Sequence, residues 1–346
     1  MVKARWKKYV LNFKKPGGTS RGVLYQKPSW FIILEDDNGL TGIGECGMLP
    51  GLSADDKPEY ESVLETLVSS LNKGKTLPDL TEWPSIRFGL EMARRDLTLG
   101  EKRELFPSKF TAGEAGIDIN GLVWMGTPDE MRTQIEEKLA AGFNCIKLKI
   151  GAIDFEEEIS LIGHIRKRFS AEDIIIRVDA NGAFSPEEAP NKLERLAALG
   201  IHSIEQPIRA GQWDVMRRLC ETTPLPIALD EELIGINDPK LQQELIDFIR
   251  PQAIILKPSF VGGFAACDHW INLAENAGVI WCTTSALESN IGLNAIAQYT
   301  FCTGNALHQG LGTGQLYTNN IESPLFIQSG KLYSDPSQGW NLNPIL

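Results

Sequence analysis

Ile146-Lys147-Leu148-Lys149, Ile174-Ile175-Ile176-Arg177-Val178-Asp179, Ser203-Ile204-Glu205, Pro226-Ile227-Ala228-Leu229-Asp230 and Ala253-Ile254-Ile255-Leu256-Lys257 are five apolar runs, each ending on an ionisable residue. The ends are separated by 30, 26, 25 and 27 residues. Each interval is the length of one strand, one helix and their two short loops. Counting outward from these runs gives eight strands, near 117–121, 146–149, 174–179, 202–205, 226–230, 253–257, 279–284 and 307–311. Amphipathic stretches separate them, such as 131–142, which ends on a C-capping glycine. Eight βα units predict an α/β fold, a TIM-type (β/α) barrel, with its active site at the C-terminal strand ends. An open doubly wound sheet is the alternative, but it gives no reason for functional side chains on five successive strand ends.

On the N-terminal side, residues 1–112 read as an α+β capping domain. Residues 30–35 form a strand, Asp36-Asp37-Asn38-Gly39 a hairpin turn, and 40–45 the return strand. Residues 14–22, rich in glycine, read as a mobile loop that closes over a ligand together with the turn Gly47-Met48-Leu49-Pro50-Gly51. Helical periodicity marks 58–75 and 84–99, the second with Pro84 in its first turn. Residues 113–312 are expected to hold the barrel. Residues 313–346, with turns and one short strand at Lys331-Leu332-Tyr333, are expected to return to the capping domain.

The chain has 346 residues and a formal net charge of −11, which argues against a nucleic-acid surface. No stretch approaches the roughly 20 apolar residues needed to cross a bilayer. The basic start, Met1-Val2-Lys3-Ala4-Arg5-Trp6-Lys7-Lys8, leads into no apolar signal core and reads as a solvated edge strand. Cysteines at 46, 145, 220, 267, 282 and 302 are scattered without a C-x-x-C pair. They suit reduced thiols of a cytoplasmic enzyme rather than a disulfide framework. The partner expected is a small-molecule carboxylate substrate, with no nucleic acid and no membrane. A homo-oligomer is left open.

Asp179, Glu205 and Asp230 end neighbouring strands about 4.8 Å apart, so their carboxylates would repel one another without a cation between them. Three independent strand-end acids or helix caps would be the plain reading of each residue taken singly; three in consecutive units favour a shared ion. Oxygen-only ligation selects Mg²⁺ over Zn²⁺, with Mn²⁺ as the substitute. Lys147 and Lys149, two apart on one strand, point to the same face. A buried ammonium beside another and near a cation is pushed towards the neutral amine that a general base requires. Lys257 ends the strand opposite theirs in an eight-stranded ring. Two amines facing each other across a metal suit proton abstraction beside a carboxylate. Arg177 shares the face of Asp179 one layer deeper, where it could orient a lysine or a substrate carboxylate. Ser259-Phe260-Val261-Gly262-Gly263 offers backbone N–H groups to an anion, or is a plain βα turn. The glycines at 310, 312 and 314 read as a tight turn. The four histidines, 164, 202, 269 and 308, read as structural.

Lys147-Leu148-Lys149, Asp179-Ala180-Asn181, Glu205-Gln206-Pro207, Asp230-Glu231 and Lys257-Pro258 together resemble the muconate-lactonising branch of the enolase superfamily. Within it, Pro84-Ser85-Ile86-Arg87-Phe88-Gly89-Leu90-Glu91, Ile119-Asn120-Gly121-Leu122-Val123-Trp124-Met125-Gly126, Thr284-Ser285-Ala286-Leu287-Glu288-Ser289-Asn290 and the stretch 310–324 resemble the o-succinylbenzoate synthase family. The resemblance implies a lyase of menaquinone biosynthesis that dehydrates 2-succinyl-6-hydroxy-2,4-cyclohexadiene-1-carboxylate. It implies Lys149 as the base, with Lys147 lowering its basicity, and Lys257 as the cation opposite. Asp179, Glu205 and Asp230 would be the Mg²⁺ ligands. Substrate binding would fall to Lys147, Arg177, Asn181, Ser259, Gly262, Gly263 and Ser285. An N-acylamino-acid racemase or dipeptide epimerase of the same superfamily, using both lysines as bases, is the alternative. A barrel without catalysis would leave five aligned ionisable residues unexplained.

Overall fold

The computed structural model describes residues 2–20, 22–100 and 102–346. Strands β1 (Lys3–Thr19), β2 (Gly22–Glu35) and β3 (Thr41–Cys46) form an antiparallel sheet in that order, with β1 at an edge. Trp30-Phe31-Ile32-Ile33-Leu34 is apolar throughout because both faces of β2 are covered. Trp30, Ile32 and Leu34 pack with Leu64 and Leu67 of α1 (Tyr60–Asn72), whereas Phe31 and Ile33 join the core that continues into the barrel. Helix α2 (Pro84–Thr98) serves both cores, with Ile86 and Leu90 in one and Phe88 and Met92 in the other. Gly44 lies directly on Gly89: a β-carbon at residue 44 would overlap the Gly89 carbonyl oxygen. The glycine lets strand and helix meet backbone to backbone.

Residues 14–22 differ from the loop expected of them. β1 continues to Thr19, and Gly17, Gly18 and Thr19 pair with Leu24, Val23 and Gly22 after a register shift between Asn12 and Gly17. The hairpin thus extends over the barrel, where Gly18 bridges Met125 and the Ser20 hydroxyl donates to the Ala180 carbonyl at 2.9 Å. Glycine at 18 is a matter of room, since a β-carbon there would stand 2.6 Å from the Met125 carbonyl oxygen. Arg21, the remaining residue of that stretch, lies outside the described residues.

After β4 (Ile117–Asp118), strands β5 (Gly121–Val123), β6 (Cys145–Lys149), β7 (Ile175–Asp179), β8 (Ser203–Glu205), β9 (Ile227–Leu229), β10 (Ala253–Leu256) and β11 (Ile280–Thr283) form one parallel seven-stranded sheet in chain order. Helices α3 (Pro128–Ala140), α4 (Phe155–Arg166), α5 (Ala189–Ala197), α6 (Trp213–Thr222), α7 (Pro239–Ile249), the single turn α8 (Pro258–Val261), α9 (Phe264–Asn276) and α10 (Asn290–Thr303) alternate with them. Local sequence sets the helix starts: Thr127 and Glu130 form a capping box on α3, and Asp154 caps α4.

The eighth strand expected at 307–311 is reduced to single bridges, Ile119 with Gln309 and Thr284 with Gly310. Gln309 supplies by side chain what a longer strand would supply by backbone. Its Oε1 accepts the Thr283 N–H at 2.7 Å, while its backbone N–H donates to Asp118 and its carbonyl accepts from Asn120. The ring therefore closes. The C-terminal segment divides its contacts. The Thr318 N–H donates to the Asn12 carbonyl at 2.9 Å, whereas β12 (Leu325–Gln328) and β13 (Lys331–Ser334) form a hairpin paired with β4. The single strand expected at 331–333 thus has a partner that the sequence did not reveal. Among the described residues no helix is long and apolar enough to cross a membrane.

Candidate active site

Register builds the site. Lys149 pairs with Asp179 and Asp179 with Glu205, so three strand-end residues stand in one row across β6, β7 and β8. Asp230 and Lys257 follow β9 and β10 directly. Lys147 and Arg177 pair in the row beneath.

Asp179, Glu205 and Asp230 are buried, and a carboxylate oxygen from each lies within 4.8 Å of the others. Burial, reinforced by Asp179 and Asp230, pushes the Glu205 carboxyl up to about 7 against the pull of Lys147. Three hard oxygen donors that repel one another and are shut off from water fit a divalent cation.

The lysines interlock with these acids. Lys147 pairs with Glu205, and its Nζ lies 3.1 Å from Oδ2 of Asp179. Lys149 Nζ donates to the same oxygen at 2.5 Å and to Oδ1 of Asn181 at 3.0 Å. Asn181 adopts the left-handed conformation (φ 46°), which asparagine tolerates, and its Nδ2 donates to Glu231 at 2.9 Å. Lys257 Nζ is 2.5 Å from Oδ2 of Asp230 and 5.3 Å from the centre of the Phe260 ring. Burial draws Lys149 below the usual lysine range; Asp179 opposes this, while Lys147 and Lys257 add repulsion. Lys147 and Lys257 go the other way. Burial disfavours their charge, but Glu205 and Asp179 outweigh it at Lys147, and Asp230 and Glu231 at Lys257. One amine of the three is thus biased towards neutrality.

Above the lysines lies a cavity of about 250 Å³. Its floor carries Lys147, Lys149, Lys257 and Asn181, and its apolar walls include Leu24, Leu49, Leu52, Leu122, Trp124, Phe260 and Leu287. Among the described residues, the charged side chains lining it are those three lysines. Asn120, Leu122 and Trp124 enter it from β5 and its flanks at a spacing of two, a strand-alternation signal present in the sequence but left without a role. Thr19, Val23 and Leu24 come from the hairpin, and Leu49, Pro50, Gly51 and Leu52 from the turn after β3.

Several residues expected at the substrate lie elsewhere. Arg177, in the row of Lys147 beneath that of Lys149, donates to the His308 carbonyl at 2.8 Å and does not line the cavity. The turn of α8 carries Gly262 and Gly263 away towards Arg87 and Glu91 of α2. There the Glu91 carboxylate already accepts the N–H groups of Phe264, at 2.6 Å, and Ala265, at 3.2 Å, filling the anion position at the start of α9. Ser259 is fully buried and donates to Glu288 at 2.5 Å. Ser285 does line the cavity, but its hydroxyl donates to Glu288 at 2.5 Å and has no proton left for a ligand. Gln206, the middle of the Glu205-Gln206-Pro207 motif, has a role that the sequence does not assign: its Oε1 accepts the N–H groups of Asp230 and Glu232, both at 3.2 Å, and so shapes the turn that carries Asp230.

A model of enolase C-terminal domain-like proteins matches residues 130–342. An o-succinylbenzoate synthase of Desulfotalea psychrophila is 48% identical, across 93% of this chain and 96% of its own length. The crystal structure of MenC from Desulfotalea psychrophila superposes with a TM-score of 0.86 at 43% identity, covering 96% of this chain and 99% of that one. The L-Ala-D/L-Glu epimerase of Bacillus subtilis shares the fold, with a TM-score of 0.82 at 22% identity over 97% of this chain and 96% of its own. By sequence and by architecture, the chain belongs to the o-succinylbenzoate synthase family of the enolase superfamily.

Proposed function

We propose that the chain is an o-succinylbenzoate synthase, a Mg²⁺-dependent lyase that removes water from 2-succinyl-6-hydroxy-2,4-cyclohexadiene-1-carboxylate. The observation that carries the reading is a cavity whose floor is cationic and whose walls are apolar, joined to 48% identity with a relative of that name. An apolar slot above ammonium groups suits a carbocyclic ring bearing carboxylates.

A neutral Lys149 amine has two protons. Asp179 and Asn181 accept both, which leaves the lone pair free for the proton on the carbon next to the ring carboxylate. Lys149, now an ammonium, then gives that proton to the departing hydroxyl, which leaves as water while the ring becomes aromatic. Lys257, kept protonated by Asp230 and Glu231, places positive charge opposite the base and remains a cation throughout. Lys147 keeps Lys149 from binding its proton too tightly. Asp179, Glu205 and Asp230 would hold Mg²⁺, which supplies charge to the substrate carboxylate as the α-proton leaves. The hairpin and the turn after β3 keep bulk water from the charged intermediate. Free thiols at all six cysteines support placing the enzyme in the cytoplasm.

The epimerase reading has the paired lysines in its favour. Against it, the lining offers, among the described residues, no carboxylate to receive the ammonium of a dipeptide, and such a charge would be buried unpaired. The discriminating experiment presents the Mg²⁺-loaded protein with the cyclohexadiene carboxylate, a panel of dipeptides and a panel of N-acylamino acids. Loss of the cyclohexadiene absorbance with no change in optical rotation of the panels is expected. Rapid epimerisation without dehydration would overturn the proposal.

A further inference from the structure

A chain of buried polar side chains joins the capping sheet to the loop after β11, and the reaction above makes no use of it. Lys27, Ser29, Glu45, Ser259, Glu288 and Ser289 are fully buried, and Ser285 is 4% exposed. The Lys27 ammonium donates to Ser29 at 2.9 Å, and the Ser29 hydroxyl donates to Oε1 of Glu45 at 2.7 Å. Glu45 then crosses to the barrel side. It accepts the N–H of Ser289 at 2.9 Å, the Ser289 hydroxyl at 2.5 Å and the Gly292 N–H at 2.9 Å, at the start of α10.

Beside it, Glu288 accepts the hydroxyls of Ser259 and Ser285, each at 2.5 Å. Ser285 in turn accepts the N–H groups of Leu287 at 3.1 Å and Glu288 at 3.3 Å. Leu287 stands at φ 66°, a conformation that a branched residue holds only where its surroundings enforce it. Its carbonyl is pinned by the Tyr317 hydroxyl at 2.7 Å. Ser285, Ala286 and Leu287 are a wall of the cavity. The cap also bears on Glu288 by contact. A β-carbon at Gly47 would stand 2.7 Å from the Ser259 hydroxyl and 2.8 Å from Cγ of Glu288, and the chain from Gly47 runs on into Leu49–Leu52 of the facing wall, as the lining at 49, 50, 51 and 52 shows.

Two carboxylates and an ammonium are costly to bury, and an apolar joint would hold the cap in place as firmly. We propose that Lys27, Glu45 and Glu288 form a latch through which the capping domain sets the Ser285-Ala286-Leu287 wall, making Glu288 a positioning residue for the part of the substrate that lies away from the lysines. This rests on the synthase reading of the cavity. Glu288 acts through Ser285 and Leu287 and touches no reacting atom. Its influence therefore falls on binding, not on proton transfer.

The test uses the full-length, Mg²⁺-loaded protein and measures kcat, KM, the acid limb of the pH profile, and the Kd of o-succinylbenzoate from quenching of tryptophan fluorescence. In Glu288→Ala, which leaves two buried hydroxyls without their acceptor, KM and Kd should rise about tenfold while kcat stays within about threefold and the acid limb does not move. Glu288→Gln should recover most of the loss, because an amide and two serine hydroxyls can exchange donor and acceptor roles. Gly47→Ala perturbs the same contact from the cap, should give the same split, and serves if Glu288→Ala does not fold. Unchanged KM and Kd in the variants would overturn the latch, as would a kcat that falls only with the folded fraction at constant KM. A wild type that binds the product but never converts the cyclohexadiene would instead refute the synthase reading, and the latch with it.

Discussion

Replacing Lys147 by methionine tests how the site keeps its base neutral. Lys147 and Lys149 both touch Oδ2 of Asp179, at 3.1 and 2.5 Å, so their ammonium nitrogens are no more than the sum, 5.6 Å, apart. At an effective dielectric constant of about 20, unit charges at that separation repel by about 3 kcal/mol. That repulsion disfavours the Lys149 ammonium against its neutral amine. The sign follows from the direction of the shift: Lys147 lowers the Lys149 pKa, so its removal raises it. Because the acid limb of kcat/KM reports the base of the free enzyme, the limb should move to higher pH in Lys147→Met. Lys147→Arg keeps the charge and should leave the limb near its wild-type position. The assay is the ultraviolet progress curve at saturating Mg²⁺ from pH 5 to 10, a range wide enough to contain the shifted limb. A limb that stays put in Lys147→Met, or moves to lower pH, would refute the electrostatic argument.

Three further outcomes follow from other parts of the molecule. Asp55, fully buried against Ser85, has its carboxyl raised by burial from 3.8 to about 6. The folded state therefore binds this proton more tightly, and stability should fall by about 2 kcal/mol as pH rises from 4 to 7. Asp55→Asn should abolish that part of the fall in urea titrations, and an unchanged difference between pH 4 and 7 would contradict it. Gln309→Ala leaves the buried Thr283 N–H without its acceptor and should lower unfolding stability by about 1–3 kcal/mol; no measurable loss in urea would show that the side chain does not complete the barrel. Mg²⁺ at about a hundred times its Kd should stabilise the fold by about 2.7 kcal/mol, read as a rise in Tm that EDTA reverses and that Asp230→Ala does not show.

The sequence exposed the strand-end residues because a βα repeat makes each apolar run finish at the same rim. The row Lys149–Asp179–Glu205 is the direct product of in-register parallel pairing. What it could not expose were departures from that repeat. One extra turn of helix after β10 carries Gly262 and Gly263 to the far side of the rim, towards α2. Ser285 sits where spacing placed it, yet the fold directs its proton to Glu288, a residue close in sequence whose role depends on the cap. The glycines at 17 and 18 resemble loop composition but serve close packing in a paired hairpin. Gln309 looks like any polar residue near a strand end; that its amide replaces ladder hydrogen bonds depends on β11 lying beside it. Local pattern thus sufficed for the reacting groups, while the residues that hold them depend on contacts between distant segments.

Removal of the α-proton by Lys149 is checked by mixing the substrate with Mg²⁺-loaded Lys149→Ala and following the cyclohexadiene absorbance, with product affinity measured in parallel. Turnover should fall by at least roughly a hundredfold, with o-succinylbenzoate still bound. Turnover within about tenfold of the wild type, outside the range expected for loss of a general base, would contradict it and move the base to another residue.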